Sequence, residues 1–206
     1  MAIAPPPEPR SENAESLPQR RRWTVAEFER AIDLGLFGPD EHLELIDGEI
    51  LRKVTQNPPH ATALLKTDRI LDALFGDGYV VRPQLPLNFG DASGERPEPD
   101  IAVVRGSLED FTERHPQTAV LVVEISDATL DYDRSVKVPL YAAAGIPEMW
   151  IINVPERLLE VYRQPVALPD TPRGHGYRSV TRHASGEVIA PLAAPEASVA
   201  IADLLP

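Results

Sequence analysis

The sequence predicts an α/β (α+β) domain, with a mixed central sheet flanked by helices and a β-rich C-terminal extension. Three observations lead there. Ile101–Val104 and Ala119–Ile125 are apolar runs of strand length, as central strands covered on both faces require. Two stretches, residues 60–75 and 134–144, carry apolar positions at helical spacing. The last forty or so residues hold short strand-like pieces.

The elements follow in order. Thr24-Val-Ala-Glu27 has capping-box spacing, with Val25, Phe28 and Ile32 on one face of the helix it opens. Gly35 and Gly38-Pro39 end that helix. Residues 42–51 read as a hairpin turning at Asp47-Gly48. Pro58-Pro59 introduces a helix from about His60 to Phe75, with Leu64, Leu71, Leu74 and Phe75 buried and Gly76 just past its end. Leu85, Leu87 and Phe89 alternate as in a half-buried strand. After the two apolar runs, a helix over Arg134–Ala144 closes at Gly145. Glu148–Asn153 is a further apolar strand, and Leu158–Tyr162 is its hairpin partner. Short strands follow around Tyr177–His183, Glu187–Ile189 and Val199–Ile201. Residues 1–22, rich in proline and arginine and lacking apolar periodicity, read as a disordered tail, with residues 23–206 as one domain.

Composition bounds the function. The chain has no cysteine, which excludes disulfides, thiol catalysis and thiolate zinc sites and fits a cytoplasmic setting. No apolar stretch is long enough for a membrane span, and no signal-peptide core stands near the first residue. The net charge of −12 argues against a protein that grips nucleic acid through phosphate contacts alone. A bound divalent cation would offset part of it locally.

The residues that carry chemistry are two carboxylates. Asp100 stands at the entry to the strand Ile101–Val104, and Glu124 interrupts the most hydrophobic run in the chain. An ionised carboxylate in a buried strand is costly unless a cation or several donors satisfy it. Paired strands lie about 4.8 Å apart. If these two pair, Asp100 and Glu124 can hold one hard cation between them, and magnesium suits that donor set. In the metal-free site the two charges would repel each other. The structural alternative is an Asp at a strand start and a Glu paired with a buried arginine.

Glu44–Ile50, His60 opening a helix, Glu98–Val104, Val122–Ser126, Tyr132–Lys137 and Tyr141–Ile152 occur in this order over residues 23–163. Together they resemble the Uma-type restriction-endonuclease family of the PD-(D/E)XK nuclease superfamily. The resemblance implies a restriction-endonuclease-like core and a Mg2+-dependent (or Mn2+-dependent) endonuclease acting on nucleic acid, DNA above all, as a homodimer. It implies Asp100, Glu124 and the backbone carbonyl of Ile125 as metal ligands. The superfamily's lysine two residues past the glutamate is replaced by Ser126. The resemblance puts Lys137 from the following helix in its place, to orient the attacking water or neutralise charge on the phosphate. Pro139 then requires that helix to start near Ser135 or to kink, with Lys137 at its N-terminal end. The plainer reading of Lys137 is an exposed i,i+4 pair with Asp133.

Glu44 matches the glutamate of the family's first hairpin, as a further metal ligand or an orienting acceptor. His60 fits a cap or a hydrogen bond to Glu44 as well as catalysis. Glu98 alternates onto the Asp100 face. Tyr141 reads as a packing residue with a wet hydroxyl, and Trp150 belongs to the core. Two rival functions remain: a nuclease-fold binding or assembly module with little or no catalysis, and a paired-carboxylate glycosidase, which lacks an aromatic platform for sugar stacking. The sequence holds no G-x-x-x-x-G-K-[ST], H-E-x-x-H or G-x-S-x-G motif.

Overall fold

The computed structural model describes residues 20–38, 41–53, 56–171 and 173–206. The expected tail, 1–22, lies outside the described residues as far as position 19, as does Pro39. At the start of the described chain, Arg22 donates to the Asp47 carbonyl, and the Trp23 amide donates to the Gly48 carbonyl at 2.9 Å.

Helix α1 (Val25–Asp33) opens on the expected capping box: the Thr24 side chain accepts from the Glu27 amide, and the Glu27 carboxylate accepts from the Thr24 amide at 3.1 Å. Val25, Phe28 and Ala31 form its buried face, whereas Ile32, near the helix end, is exposed. Strands β1 (Leu43–Ile46) and β2 (Glu49–Arg52) make the expected hairpin. Asp47 and Gly48 both have positive φ, 52° and 68°, as a two-residue primed turn requires. Gly48 is also sterically obligatory, since a Cβ there would lie 2.8 Å from the Trp23 carbonyl oxygen.

Helix α2 (Pro58–Leu74) begins slightly earlier than the sequence suggests, because Asn57 caps it by accepting from the His60 amide at 3.0 Å and the two prolines fill its first turn. Its capping residue Phe75 is extended, so Gly76 does not supply a left-handed cap.

The central sheet has six strands in chain order: β3 (Tyr79–Pro83), β4 (Ile101–Arg105), β5 (Leu121–Ser126), β6 (Glu148–Asn153), β7 (Leu158–Ala167) and β8 (His175–Ala184). Neighbours are antiparallel except β5 and β6. One strand assignment is corrected. The alternating Leu85, Leu87 and Phe89 are irregular, and β3 lies just before them. Leu87 and Phe89 bond to the carbonyls of Pro97 and Glu95, while Asn88 turns to Pro116. Alternation therefore persists in a segment with three different backbone partners. A small pair, β9 (Val188–Ile189) and β10 (Val199–Ala200), and helix α5 (Ile201–Leu204) finish the chain, so Ile201 begins a helix instead of ending a strand. Among the described residues, no helix is long and apolar enough to cross a membrane.

Strand alternation divides the core into two layers. Ile101, Val103, Leu121, Val123, Ile125, Trp150 and Ile152 pack with Ala63, Leu64 and Leu71 of α2 and with α5. Ala102, Val104, Val122, Met149 and Ile151 face the other way, against the segment joining β5 to β6. By the same parity, Asp100 and Glu124 belong to this second face.

That joining segment is helical from position 130 to 143. It comprises α3 (Leu130–Tyr132), a π-helical turn (Asp133–Lys137) and α4 (Val138–Ala143). The Val138 amide bonds to the Asp133 carbonyl, five residues back. Pro139 follows at once; it has no amide hydrogen, and its ring would crowd the carbonyl four residues earlier. A wide turn relieves that conflict without breaking the helix. The helix thus starts before Ser135 and runs through the proline, which corrects the expected start at about residue 134. It ends as expected at Gly145 (φ 72°), with the Gly145 and Ile146 amides returning to the carbonyls of Ala142 and Tyr141.

Candidate active site and metal centre

Ile101 pairs with Val123 across β4 and β5, so the next position along the ladder sets Asp100 opposite Glu124. The Asp100 amide donates to Glu124 Oε2 at 3.3 Å, and the Ile125 amide donates to Asp100 Oδ2 at 2.8 Å. Both residues are 4% exposed and line one cleft of about 800 Å³. Along a strand, one residue's N–H and C=O point to the same side. The Ile125 carbonyl therefore lies on the Asp100 side of β5.

Lys137 ends the π turn on the helix that covers this face. It is 3% exposed, its ammonium pairs with Glu44 Oε2, and it stands 3.6 Å from Glu124 Oε1. The expected exposed pair with Asp133 does not form. Asp133 is itself buried and accepts from Ser126 Oγ at 2.6 Å and Thr129 Oγ1 at 2.8 Å. Ser126, where the superfamily has lysine, thus anchors the helix that delivers Lys137. Burial disfavours the Lys137 charge, but Glu124 and Glu44 outweigh that and raise its pKa.

Glu44, on β1, is brought into the same cleft by the hairpin. Besides Lys137 it accepts from the Glu98 amide at 3.3 Å. His60 does not bond to Glu44: its Nε2 lies 3.1 Å from Asp100 Oδ2, and its Nδ1 is buried without a partner among the described residues. Burial lowers the His60 pKa, but the bond to Asp100 outweighs it and the net shift is upward.

Two residues join the site that the sequence did not place there. The Tyr141 hydroxyl is fully buried and donates to Glu124 Oε1 at 2.7 Å, which replaces the wet hydroxyl expected for it. Its spacing one turn beyond Lys137 was the available signal. Lys53, just past β2, donates to the Glu98 carbonyl at 2.8 Å and to Asp100 Oδ1 at 3.5 Å. Its approach depends on how the hairpin docks, which local pattern does not reveal. Glu98 lies nearby, with Oε1 3.7 Å from the Lys53 ammonium. Trp150 is in the core as expected and donates to Glu148.

The electrostatics separate the two central carboxylates. Burial pushes Glu124 up to about 7; Lys137 works against this, while Asp100 and Asp133 add to it. Burial acts on Asp100 too, but the His60 bond, Lys53 and the Ile125 amide outweigh it and leave its pKa below the ordinary value. The chain's own donors and cations therefore outweigh burial at Asp100 but not at Glu124, where the neighbouring carboxylate still adds to the rise. Two carboxylates and a backbone carbonyl are hard oxygen donors of the kind magnesium or manganese accepts, with water filling the other positions. Among the described residues, no group of three His, Asp or Glu side chains forms a ready-made metal cage.

The fold is similar to the crystal structure titled "a putative nuclease belonging to DUF820" from Anabaena variabilis ATCC 29413. The TM-score is 0.64, covering 88% of this chain and 96% of that one at 19% identity, a likeness of fold. No curated protein matches the chain. The family model described as "Uma2: Putative restriction endonuclease" matches residues 25–202, and the chain belongs to that family.

Proposed function

We propose that this nuclease-family protein is a divalent-metal-dependent endonuclease that hydrolyses phosphodiester bonds, with DNA as its substrate. The observation that carries the reading is the convergence of Asp100 and Glu124 from neighbouring strands, with Lys137 buried beside Glu124. Asp100, Glu124 and the Ile125 carbonyl would hold Mg2+ or Mn2+. When bound, the cation polarises a phosphate oxygen and lowers the pKa of an adjacent water.

The chain's own residues do the rest. His60 and the Ile125 amide fix Asp100 through one oxygen, leaving Oδ1 toward Lys53. Tyr141 and Lys137 hold Glu124 through Oε1. Glu44 orients Lys137, accepting from its ammonium and from the Glu98 amide through one oxygen. Lys137 opposes the burial that favours a protonated Glu124 and adds positive potential next to the reacting phosphate. The family likeness supports a homodimer, for which light scattering is the check. The lack of cysteine accords with a reducing cytoplasm.

The experiment is a cleavage assay on double-stranded DNA, single-stranded DNA and RNA, in magnesium, manganese or chelator. Metal-dependent nicking or linearisation of DNA supports the proposal. The net charge of −12 favours one second reading, a nuclease-fold binding or assembly module. Metal binding without cleavage of any of the three substrates would favour that module.

A further inference from the structure

We propose that Lys53 is the protein's own counter-cation for Asp100, that it competes with a divalent cation for Asp100 Oδ1, and that it moves onto Glu98 when the cation binds. The proposal rests on reading Asp100 and Glu124 as metal ligands.

The two lysines of the cleft differ in kind. Lys137 is enclosed, and releasing it would strand Glu44 and Glu124 as buried, unpaired carboxylates. Lys53 stands at the end of the β1–β2 hairpin with its side chain 18% exposed, on the wall of the cleft. Among the described residues its closest hydrogen bond, 2.8 Å, goes to a backbone carbonyl, that of Glu98, while Asp100 Oδ1 is 3.5 Å away. Asp100 Oδ2 is already occupied by the Ile125 amide and His60, so Oδ1 is the oxygen open to a cation. A divalent ion at Oδ1 meets the Lys53 ammonium at close range, where like charges repel strongly in a partly buried site.

The structure also offers Lys53 a second seat. Glu98 Oε1 is buried without a hydrogen-bond partner among the described residues and lies 3.7 Å from the Lys53 ammonium; His42 Nδ1 is 3.6 Å from the same oxygen. A small swing about the Glu98 carbonyl anchor exchanges one carboxylate for the other. Lys53 thereby stabilises the metal-free site and sets how tightly the site takes its metal.

The test is calorimetric titration of Mn2+ into chelator-treated full-length protein, with melting temperatures in chelator and in Mn2+. Lys53→Gln keeps a donor for the Glu98 carbonyl and removes the charge. It should tighten Mn2+ binding about tenfold and lower the melting temperature in chelator more than in Mn2+. Lys53→Arg should bind as the wild type does. Glu98→Gln, which removes the second seat, should weaken Mn2+ binding, and it carries the test alone if Lys53→Gln does not fold. Equal or weaker Mn2+ binding by folded Lys53→Gln overturns the proposal, as does unchanged binding by Glu98→Gln. If the wild type itself takes no Mn2+, the metal reading fails and this inference fails with it. Wild-type binding that does not respond to either substitution removes the inference alone.

Discussion

Asp100 gives its amide hydrogen to the carboxylate of Glu124 at 3.3 Å, so the backbone of one site carboxylate fixes the side chain of the other. The antiparallel register of β4 and β5 creates this relationship. The expected consequences concern charge, pH, the buried lysine and the N-terminal segment.

Asp100 is held by three donors, so Asp100→Asn should cost the metal-free protein about 1–3 kcal/mol, by weakening charge-assisted hydrogen bonds. The stabilising charge is present above the ordinary pKa of 3.8 and is lost as pH falls through the lower folded value. Denaturant melts in chelator measure the cost. Repeating them in magnesium should show stabilisation of the wild type and none of Asp100→Asn.

Glu124 gives the opposite slope. Its folded pKa of about 7 lies above the ordinary 4.5, so between these values the folded protein keeps a proton that the unfolded chain has released. Stability of the metal-free protein should fall as pH rises through that window, by about 3 kcal/mol in total, and level off above it. Melts from pH 4.5 to 8 test this, with Glu124→Gln expected to lose that component of the slope. Superimposable profiles for the two proteins would place the titration elsewhere.

Lys137 is the cation whose loss should be felt most. Lys137→Ala leaves Glu44 and Glu124 facing each other without a counter-charge, and should destabilise the fold by about 3–5 kcal/mol. Lys137→Ala with Glu44→Gln should recover part of that in a double-mutant cycle. Cleavage should stay absent in both variants, which separates a lysine needed for the reaction from one needed for the fold alone.

Much of this site was legible in the sequence for a physical reason. A carboxylate in an otherwise apolar strand is expensive, so Glu124 marked itself, and the short entry of Asp100 into the preceding strand supplied its partner. Lys137 emerged from the family resemblance; the π turn that positions it did not, because a wide turn ahead of a proline and an ordinary kink have the same sequence signature. Tyr141 was misread because its spacing fits packing as well as a hydrogen bond to Glu124. Lys53 was invisible because its partners, Glu98 and Asp100, come from a distant segment. Strand β3 was missed for a neighbouring stretch with cleaner alternation, since Tyr79–Pro83 contains a buried Arg82 and ends in proline.

Removing residues 1–22 should change the melting temperature by no more than a degree or two. The contacts of Arg20 with Glu49, of Arg21 with Glu27 and of Arg22 with the Asp47 carbonyl involve exposed side chains, and such solvent-screened contacts contribute little. A truncation that also removes Trp23 should cost more, because Trp23 packs against Val25, Phe28 and Leu45. Thermal melts of the two truncations, compared directly, check the boundary.

The most direct measurement of the central claim is single-turnover cleavage of supercoiled plasmid across a magnesium titration, by wild type, Asp100→Asn and Glu124→Gln purified in parallel. The account predicts cleavage by the wild type that rises with magnesium and stops with chelator, and loss of about a thousandfold or more in each folded variant, the scale expected when charge stabilisation at the reacting centre is removed. Cleavage by either variant at the wild-type rate, or by the wild type in chelator, would contradict it.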